Sequence, residues 1–227
     1  MLGMRSTQER NPFSDAASRV LRTALSKPSR SWGIRELARL SATSPTLTTL
    51  VLKRLERLGY ASRESSGQAR LLDPAGLLLE WAAWYAIKPL QEYRFSLDGK
   101  VSPKKILNLM AKHRLDLPGK WALTSMAGAS LVAPFAEFRE IHVFLPKAHQ
   151  LIPSWRKIFG LVPDSVGPIH LIEPYYSTST NEGVRVVRRI PVVSDMQLFL
   201  DCYRYPVRGR EQAEHILSRL SQDWDRG

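Results

Sequence analysis

Residues 44–59 constrain the fold of this chain most, because they contain signals for both ends of one amphipathic helix. Ser44 is a good N-cap, Pro45 suits the first helical position, and Gly59 can adopt the left-handed conformation that ends a helix. At about 100° per residue, the two sides of this helix differ in chemistry. One side contains Thr48, Val51, Leu52, Leu55 and Leu58, and the other contains Thr46, Thr49, Leu50, Lys53 and Arg57. We predict that the first side packs on a core and that the second can enter a groove.

Two earlier helices are predicted upstream of this one. Apolar residues at helical spacing indicate a helix over about residues 34–40, and a brief turn then leads to the next helix. Two helices joined in this way make a helix-turn-helix. Ser14 or Asp15 can cap a first helix that ends before Lys27-Pro28. Its inward side is expected to contain Ala17, Val20, Leu21, Ala24 and Leu25.

A β-hairpin is predicted after the three helices. Residues 60–64 and 69–72 have strand character and flank a turn of polar residues and glycine. The order of elements predicts a winged helix-turn-helix over residues 14–75. Its Ser-Pro start, its apolar spacing and the run Lys-Arg-Leu-Glu-Arg-Leu-Gly before the hairpin resemble the MarR-like and related bacterial winged-helix repressors. This resemblance covers roughly residues 14–74 and implies DNA binding, although some winged helices serve as protein-docking modules instead.

The distribution of charge favours nucleic acid as the partner. The chain has 33 Lys and Arg against 21 Asp and Glu, and its first 75 residues hold 13 against 6, or +7 of the formal +12. A basic domain of this kind gains affinity for double-stranded DNA by releasing counterions from the phosphates. We therefore expect an operator in duplex DNA as the ligand.

The predicted DNA-binding residues come from the helix-turn-helix and from the hairpin. Lys53 and Arg57 are expected to reach phosphates or base edges, and Thr46 and Thr49 to form hydrogen bonds near the start of the helix. Leu50 can touch a thymine methyl, or it can be covered by a neighbouring segment. The full predicted set is Arg35, Thr46, Thr49, Leu50, Lys53, Arg57, Arg63 and Arg70.

Length and composition limit the remaining organisation. The 227 residues are enough for a small DNA-binding domain and one further domain of ordinary size. The single cysteine, Cys202, excludes an intramolecular disulfide, which fits a protein of the reducing cytoplasm. We expect its thiol to be packed in the core. The most apolar run is too short to span a bilayer, so no membrane role is expected. The predicted division is a flexible arm over 1–13, the winged helix, a connecting helix over 76–88 and a further domain over 89–227.

The connecting helix and the second domain follow from local signals. Asp73-Pro74 can begin a helix that extends to about Ala86 and has an aromatic stripe, expected in a core or domain interface. Short strands between helices then predict a mixed α/β domain, so the fold class is α+β. Strands are expected at about 93–97, 121–124, 141–145, 169–172 and 184–192, and helices at about 103–113, 125–132, 194–203 and 209–224. Arg204, Arg208 and Arg210 form a basic loop, which is either a solvated turn or a site for an acidic partner or phosphate.

Several segments of the second domain resemble the AbiEi-type antitoxins of type IV toxin-antitoxin systems. These segments are residues 121–129, residues 141–146 and residues 191–201 continuing into 208–213. They occur in the family's order behind a winged helix. The resemblance implies a repressor of its own operon whose second half counters a partner toxin of the nucleotidyltransferase type. Whether the protein forms a homodimer that binds an inverted repeat is left open.

An enzymatic function is the alternative. Gly128-Ala129-Ser130 followed by Glu140 and His142 is similar to the start of a nucleotidyltransferase site, but His142 occupies the position of a second Mg²⁺-binding carboxylate. The histidines His113, His149, His170 and His215 lack a metal-binding spacing. We therefore predict a DNA-binding regulator with no catalytic residue, no metal ligand and no cofactor.

Overall fold

The computed structural model describes residues 11–99 and 101–226. These residues divide into two compact units, which we call the smaller unit, residues 11–79 with 222–226, and the larger unit, residues 80–221. The predicted arm over residues 1–13 lies outside the described residues except for its last three. Of those three, Phe13 is buried, with 4% of its surface exposed.

The smaller unit contains, among its described residues, three helices followed by a hairpin. The helices are α1 (Asp15–Ser26), α2 (Ile34–Leu40) and α3 (Pro45–Arg57), and the antiparallel strands are β1 (Ala61–Arg63) and β2 (Ala69–Leu71). Trp32, between α1 and α2, exchanges two backbone hydrogen bonds with Ala69, at 2.7 and 2.9 Å. The hairpin therefore has a third, very short strand partner.

The predicted signals at the ends of α3 are confirmed. The Leu47 amide donates to the Ser44 hydroxyl at 3.1 Å, which satisfies one of the free N–H groups of the first turn. Gly59 has φ +82°, a conformation that is strained for residues with a Cβ. The helix therefore ends where the sequence predicts.

The core of the smaller unit forms from the predicted apolar sides. The five inward residues predicted for α1 are all buried, as are Thr48, Val51, Leu52 and Leu55 of α3. The Thr48 hydroxyl lies 3.0 Å from that of Thr43, which compensates the burial of this polar group. Leu58 is only half-buried, and Leu40 of α2 is 46% exposed. Leu40 is the last residue of α2, and Leu58 directly follows α3.

Helix α4 (Pro74–Ala86) begins at the predicted Asp-Pro signal, and the Gly76 amide donates to Asp73 Oδ1 at 2.8 Å. Of its three aromatic residues, Trp81 and Tyr85 belong to a core, and Trp84 is half-buried. Trp81 is fully buried and its indole N–H donates to the hydroxyl of Tyr176 at 2.8 Å. Tyr85 is also fully buried and packs at 5.4 Å from the same ring.

The larger unit has one mixed sheet of seven strands among its described residues. The strands are β3 (Gln91–Leu97), β4 (Ala122–Thr124), β5 (Ile141–Phe144), β6 (Leu161–Pro163), β7 (Ile169–Glu173), β8 (Arg185–Val187) and β9 (Ile190–Val192). Their order across the sheet is β6-β3-β7-β5-β4-β9-β8. The β5–β7 and β4–β9 pairs are parallel and the other pairs are antiparallel. The fold is thus mixed α+β, as expected.

The helices of this unit are α5 (Pro103–Lys112), α6 (Ser125–Val132), α7 (Ala148–Phe159), α8 (Asp195–Arg204) and α9 (Gly209–Arg226), whose last residues belong to the smaller unit. Ser102 and Ser194 cap α5 and α8 with their hydroxyls, as predicted. Helix α7 was not predicted, because Pro153 lies inside it and interrupts the usual helical signal.

The single strand predicted over residues 184–192 is wrong. The chain instead forms the hairpin β8–β9, whose turn residues Arg188 and Arg189 have φ of +47° and +68°. Their positive φ is uncommon for residues other than glycine, so the sequence carried none of the usual turn signals here. Cys202 is fully buried, in agreement with a packed thiol. No helix in the described part of the chain is long and apolar enough to cross a bilayer.

Candidate functional site

The outward side of α3 carries five of the eight residues predicted to contact DNA, and the other three lie on α2 and the hairpin. Thr49 is half-buried, and the other seven predicted residues are exposed, namely Arg35, Thr46, Leu50, Lys53, Arg57, Arg63 and Arg70. Leu50 has 43% of its surface exposed, so no segment within residues 11–99 and 101–226 covers it. The orientation of α3 about its axis is therefore the one that the sequence predicts.

Some of these side chains already have partners within the protein. The Thr49 hydroxyl donates to the Pro45 carbonyl at 2.8 Å, which leaves its oxygen lone pairs to accept from a ligand. Arg63 Nε donates to Glu56 Oε1 at 3.1 Å, and both groups are partly exposed. Ion pairs of this kind are weak in water, and Arg63 can exchange its partner for a phosphate. Arg70 faces away from the core on the same hairpin.

A second candidate site is a polar cavity of about 340 Å³ in the larger unit. Its floor is one lateral row of side chains on four neighbouring strands, Arg94 of β3, His170 of β7, His142 of β5 and Thr124 of β4. Residues paired directly across strands share one face of a sheet, so these four groups lie side by side. Asp201 and Arg204 of α8 and the following Tyr205 also line the cavity.

Hydrogen bonds fix the orientation of His170 on this floor. Its Nδ1 lies 2.8 Å from Glu92 Oε1, which also accepts from Arg94 Nε at 2.6 Å. The hydrogen bond from His170 and the nearby Arg94 lower the pKa of Glu92 to about 2, although partial burial opposes the shift. An ionised Glu92 accepts hydrogen bonds only, so Nδ1 of His170 carries the proton.

His142 lies directly beside His170, with ring centroids 4.2 Å apart. Burial and the neighbouring His170 lower the pKa of His142 to about 4, so its imidazole is neutral at pH 7. Glu140, just before β5, accepts a hydrogen bond from the Tyr205 hydroxyl at 2.7 Å. Burial and, after it, this bond raise the pKa of Tyr205, which therefore remains a protonated donor.

Asp201 is a buried carboxyl group at the edge of the cavity. Its Oδ2 accepts from the Thr124 hydroxyl at 2.5 Å and from Gln197 Nε2 at 3.0 Å. Burial raises the pKa of Asp201 to about 6, even though these two hydrogen bonds favour the charged form. Desolvation of the carboxylate therefore dominates at this position.

The three arginines of the predicted basic loop have separate partners. Arg204 lines the cavity and donates to the Lys88 carbonyl at 3.1 Å. Arg208 pairs with Glu211 at 2.9 Å. Arg210 donates to the Tyr203 hydroxyl at 3.0 Å and stacks on its ring. The three arginines thus have different partners, so a phosphate would meet different neighbouring groups at each of them.

The two residues of the alternative nucleotidyltransferase site differ in their surroundings. Glu140 lines the cavity, whereas Ser130 is not among the described residues lining it, and its hydroxyl donates to the Ala127 carbonyl at 2.7 Å. The sequence missed the pairing of His142 with His170, because spacing along the chain does not reveal strand pairing. A signal was present, since both strands contain Ile-His followed by an apolar residue, at 141–143 and 169–171.

Comparison of the chain with protein families, curated proteins and solved structures gives no match.

Asp201 is expected to make stability depend on pH. Its pKa rises from 3.8 to about 6 on folding, so the folded state holds a proton that the unfolded state has lost between these pH values. This contribution to stability is complete below about pH 4 and is lost as the pH rises through about 6. Asp201→Asn should therefore gain stability relative to the wild type by roughly 2–3 kcal/mol between pH 4 and pH 8.

Urea unfolding of the two proteins at a series of pH values measures this difference. Asparagine keeps an acceptor for Thr124 and Gln197, and any cost of its buried amide NH₂ is independent of pH. A difference between the two free energies of unfolding that stays constant, or that moves in favour of the wild type, would contradict the assignment.

Proposed function

We propose that the smaller unit is a winged helix-turn-helix that binds double-stranded DNA, and that the chain is a transcriptional regulator. The order of α1, α2, α3, β1 and β2 supports this assignment, as does the turn of four residues between α2 and α3. The two hydrogen bonds of Trp32 with Ala69 add a short strand between α1 and α2 to the hairpin. The hairpin beyond α3 is then the wing.

The observation that carries the proposal is the chemistry of the exposed side of α3. Thr46, Lys53 and Arg57 are exposed there. Lys53 follows Thr46 after about two helical turns, and Arg57 follows Lys53 after about one. Glu56 is the one acidic residue of this helix, and it pairs with Arg63 of the hairpin. A helix with one side buried and the other basic suits the major groove, which is wide enough to admit an α-helix.

Roles for the individual residues follow from their chemistry and exposure. Lys53 and Arg57 have long cationic side chains that can reach phosphates or guanine edges. Thr46 and Thr49 lie in the first turns of α3, where backbone N–H groups also favour anions. Leu50, which is exposed directly after Thr49, can contact a thymine methyl. Arg35 on α2, with Arg63 and Arg70 on the hairpin, can bind the flanking phosphates.

The larger unit is proposed to act as the antitoxin half of the same chain, in the cytoplasm. Support comes from the AbiEi-like segments, which form β4 with α6, strand β5, and β9 with α8. These elements pack around one sheet rather than being scattered over the unit. The toxin partner would be of the nucleotidyltransferase type. A homodimer would be required for two smaller units to read half-sites about 34 Å apart.

Removal of two charges from α3 should weaken DNA binding without unfolding the protein. Lys53→Ala with Arg57→Ala should lower the affinity for a 30-base-pair duplex from the chain's own promoter by about 10- to 100-fold at moderate salt. Because each lost phosphate contact reduces the salt dependence by about 0.9, the slope of log K against log salt should fall by nearly 2. Fluorescence anisotropy at several salt concentrations measures both quantities.

Lys104→Ala with Lys105→Ala on α5 is the matched control. Both lysines are exposed and belong to the larger unit, so this variant has the same net charge as the test variant. If the control weakens binding as much as the α3 variant, nonspecific charge attraction explains the effect. If neither variant nor salt affects retention of DNA, a protein-docking winged helix is the better interpretation.

The antitoxin proposal has its own test. Co-expression of this chain with a nucleotidyltransferase-like protein encoded beside it should restore growth that the toxin alone arrests. The Lys53→Ala, Arg57→Ala variant should neutralise the toxin as well as the wild type does, because the proposed antitoxin surface belongs to the larger unit. Growth arrest that persists with equal protein levels would reject the antitoxin function and leave the DNA-binding proposal intact.

A further inference from the structure

Three potential metal ligands lie together in the cavity of the larger unit. One ligand atom from each of Glu140, His142 and His170 falls within 4.8 Å of the other two. The Glu140 carboxylate is 3.9 Å from His142 Nε2 and 3.7 Å from His170 Nε2. In a tetrahedral site with bonds near 2.1 Å, ligand atoms are about 3.4 Å apart. The two distances involve different carboxylate oxygens, Oε2 and Oε1, so to bind one ion the three ligand atoms, now within 4.8 Å of one another, would approach by up to about 1.4 Å.

An unpartnered buried nitrogen points to a ligand at the same position. His170 is 1% exposed, and its Nε2 has no hydrogen-bond partner among the described residues. Its other nitrogen, Nδ1, is held by Glu92 at 2.8 Å. With Nδ1 donating to Glu92, a neutral His170 has its lone pair on Nε2, which lies on the side of Glu140. In a metal-binding histidine, the ring nitrogen that does not bind the metal commonly donates a hydrogen bond to a carboxylate, as Nδ1 of His170 does here.

We propose that Glu140, His142 and His170 bind one divalent transition-metal ion, for which Zn²⁺ is the best match. Two imidazoles and one carboxylate suit Zn²⁺ and related ions, whereas Mg²⁺ and Ca²⁺ require mainly oxygen ligands. The strand pairing makes this possible, because His142 and His170 are direct neighbours in the parallel β5–β7 pair. The site lies within the larger unit and goes beyond the proposed DNA binding.

The three protein ligands leave one coordination position open to the cavity. Zinc sites with two histidines, one glutamate and an exchangeable water have this composition. The Tyr205 hydroxyl, which donates to Glu140, would orient the carboxylate toward the ion. Arg94 holds Glu92, which in turn holds His170. Tyr205, Glu92 and Arg94, which orient the proposed ligands, therefore all line the cavity.

Titration of the full chain with Zn²⁺ is the direct test. Isothermal titration calorimetry of protein freed of metal by a chelator should show one ion per chain with a Kd below about 1 µM, equivalent to about −8 kcal/mol. Mg²⁺ should not bind under the same conditions. Failure of the wild-type chain to bind Zn²⁺ at about 100 µM would overturn the proposal, whatever the variants do.

Variants identify the ligands. Glu140→Gln keeps an acceptor for the Tyr205 hydroxyl but loses the charge, and it should weaken Zn²⁺ binding by at least about 10-fold, as His170→Gln should by about 100-fold. His149→Gln is the matched control, because His149 is exposed and pairs with Glu173 instead. Equal losses in the control and in the cluster variants would identify adventitious surface binding only and would reject the site.

Circular dichroism at the temperature of the titration checks that each variant is folded. If His170→Gln does not fold, Glu140→Gln decides, since Glu140 is partly exposed and its replacement removes little packing. Glu92→Gln provides a further check, because loss of the support for His170 should weaken Zn²⁺ binding by about 10- to 100-fold with the three ligands still present. Unchanged affinity in both Glu140→Gln and Glu92→Gln would contradict the proposed coordination.

Discussion

The burial of one side of α3 is the constraint on which the DNA-binding account depends. Val51, Leu52 and Leu55 are removed from water together with Thr48, and rotation of the helix would expose them and bury charges instead. Because this side is fixed, the opposite side must face outward. Lys53 and Arg57 are therefore exposed because the apolar residues pack inward. The proposed DNA binding depends on this exposure.

A comparable constraint acts in the larger unit through strand register. The parallel pairing of β5 with β7 sets His142 beside His170 and continues the polar row to Arg94 and Thr124. A shift of one residue would direct a histidine to the opposite face of the sheet. Both strands have apolar neighbours that are fully buried on the other face, so the core holds the register. The positions of the polar row and of the proposed metal ligands thus depend on the packing of apolar residues on the opposite face of the sheet.

The sequence predicted those features that local signals determine. The bounds of α2 and α3, the cap at Ser44 and the inward residues of α1 depend on a few neighbouring residues, and all were predicted correctly. The β8–β9 turn at Arg188 lacked such a signal, and the prediction of one strand there was wrong. The histidine pair depends on which distant strands become neighbours, which local periodicity cannot reveal. The candidate DNA-binding surface was therefore accessible from sequence, and the polar cavity was not.

Chemical-shift mapping of ¹⁵N-labelled full-length protein with duplex DNA shows directly which side of α3 contacts the DNA. If the outward side of α3 enters the groove, the largest changes will be at the amides of Thr46, Thr49, Lys53 and Arg57 and in the hairpin around Arg70, with smaller changes at the buried residues of α1. Changes that are confined to the larger unit, or an α3 that is unaffected at DNA concentrations that saturate binding, would contradict DNA binding by α3.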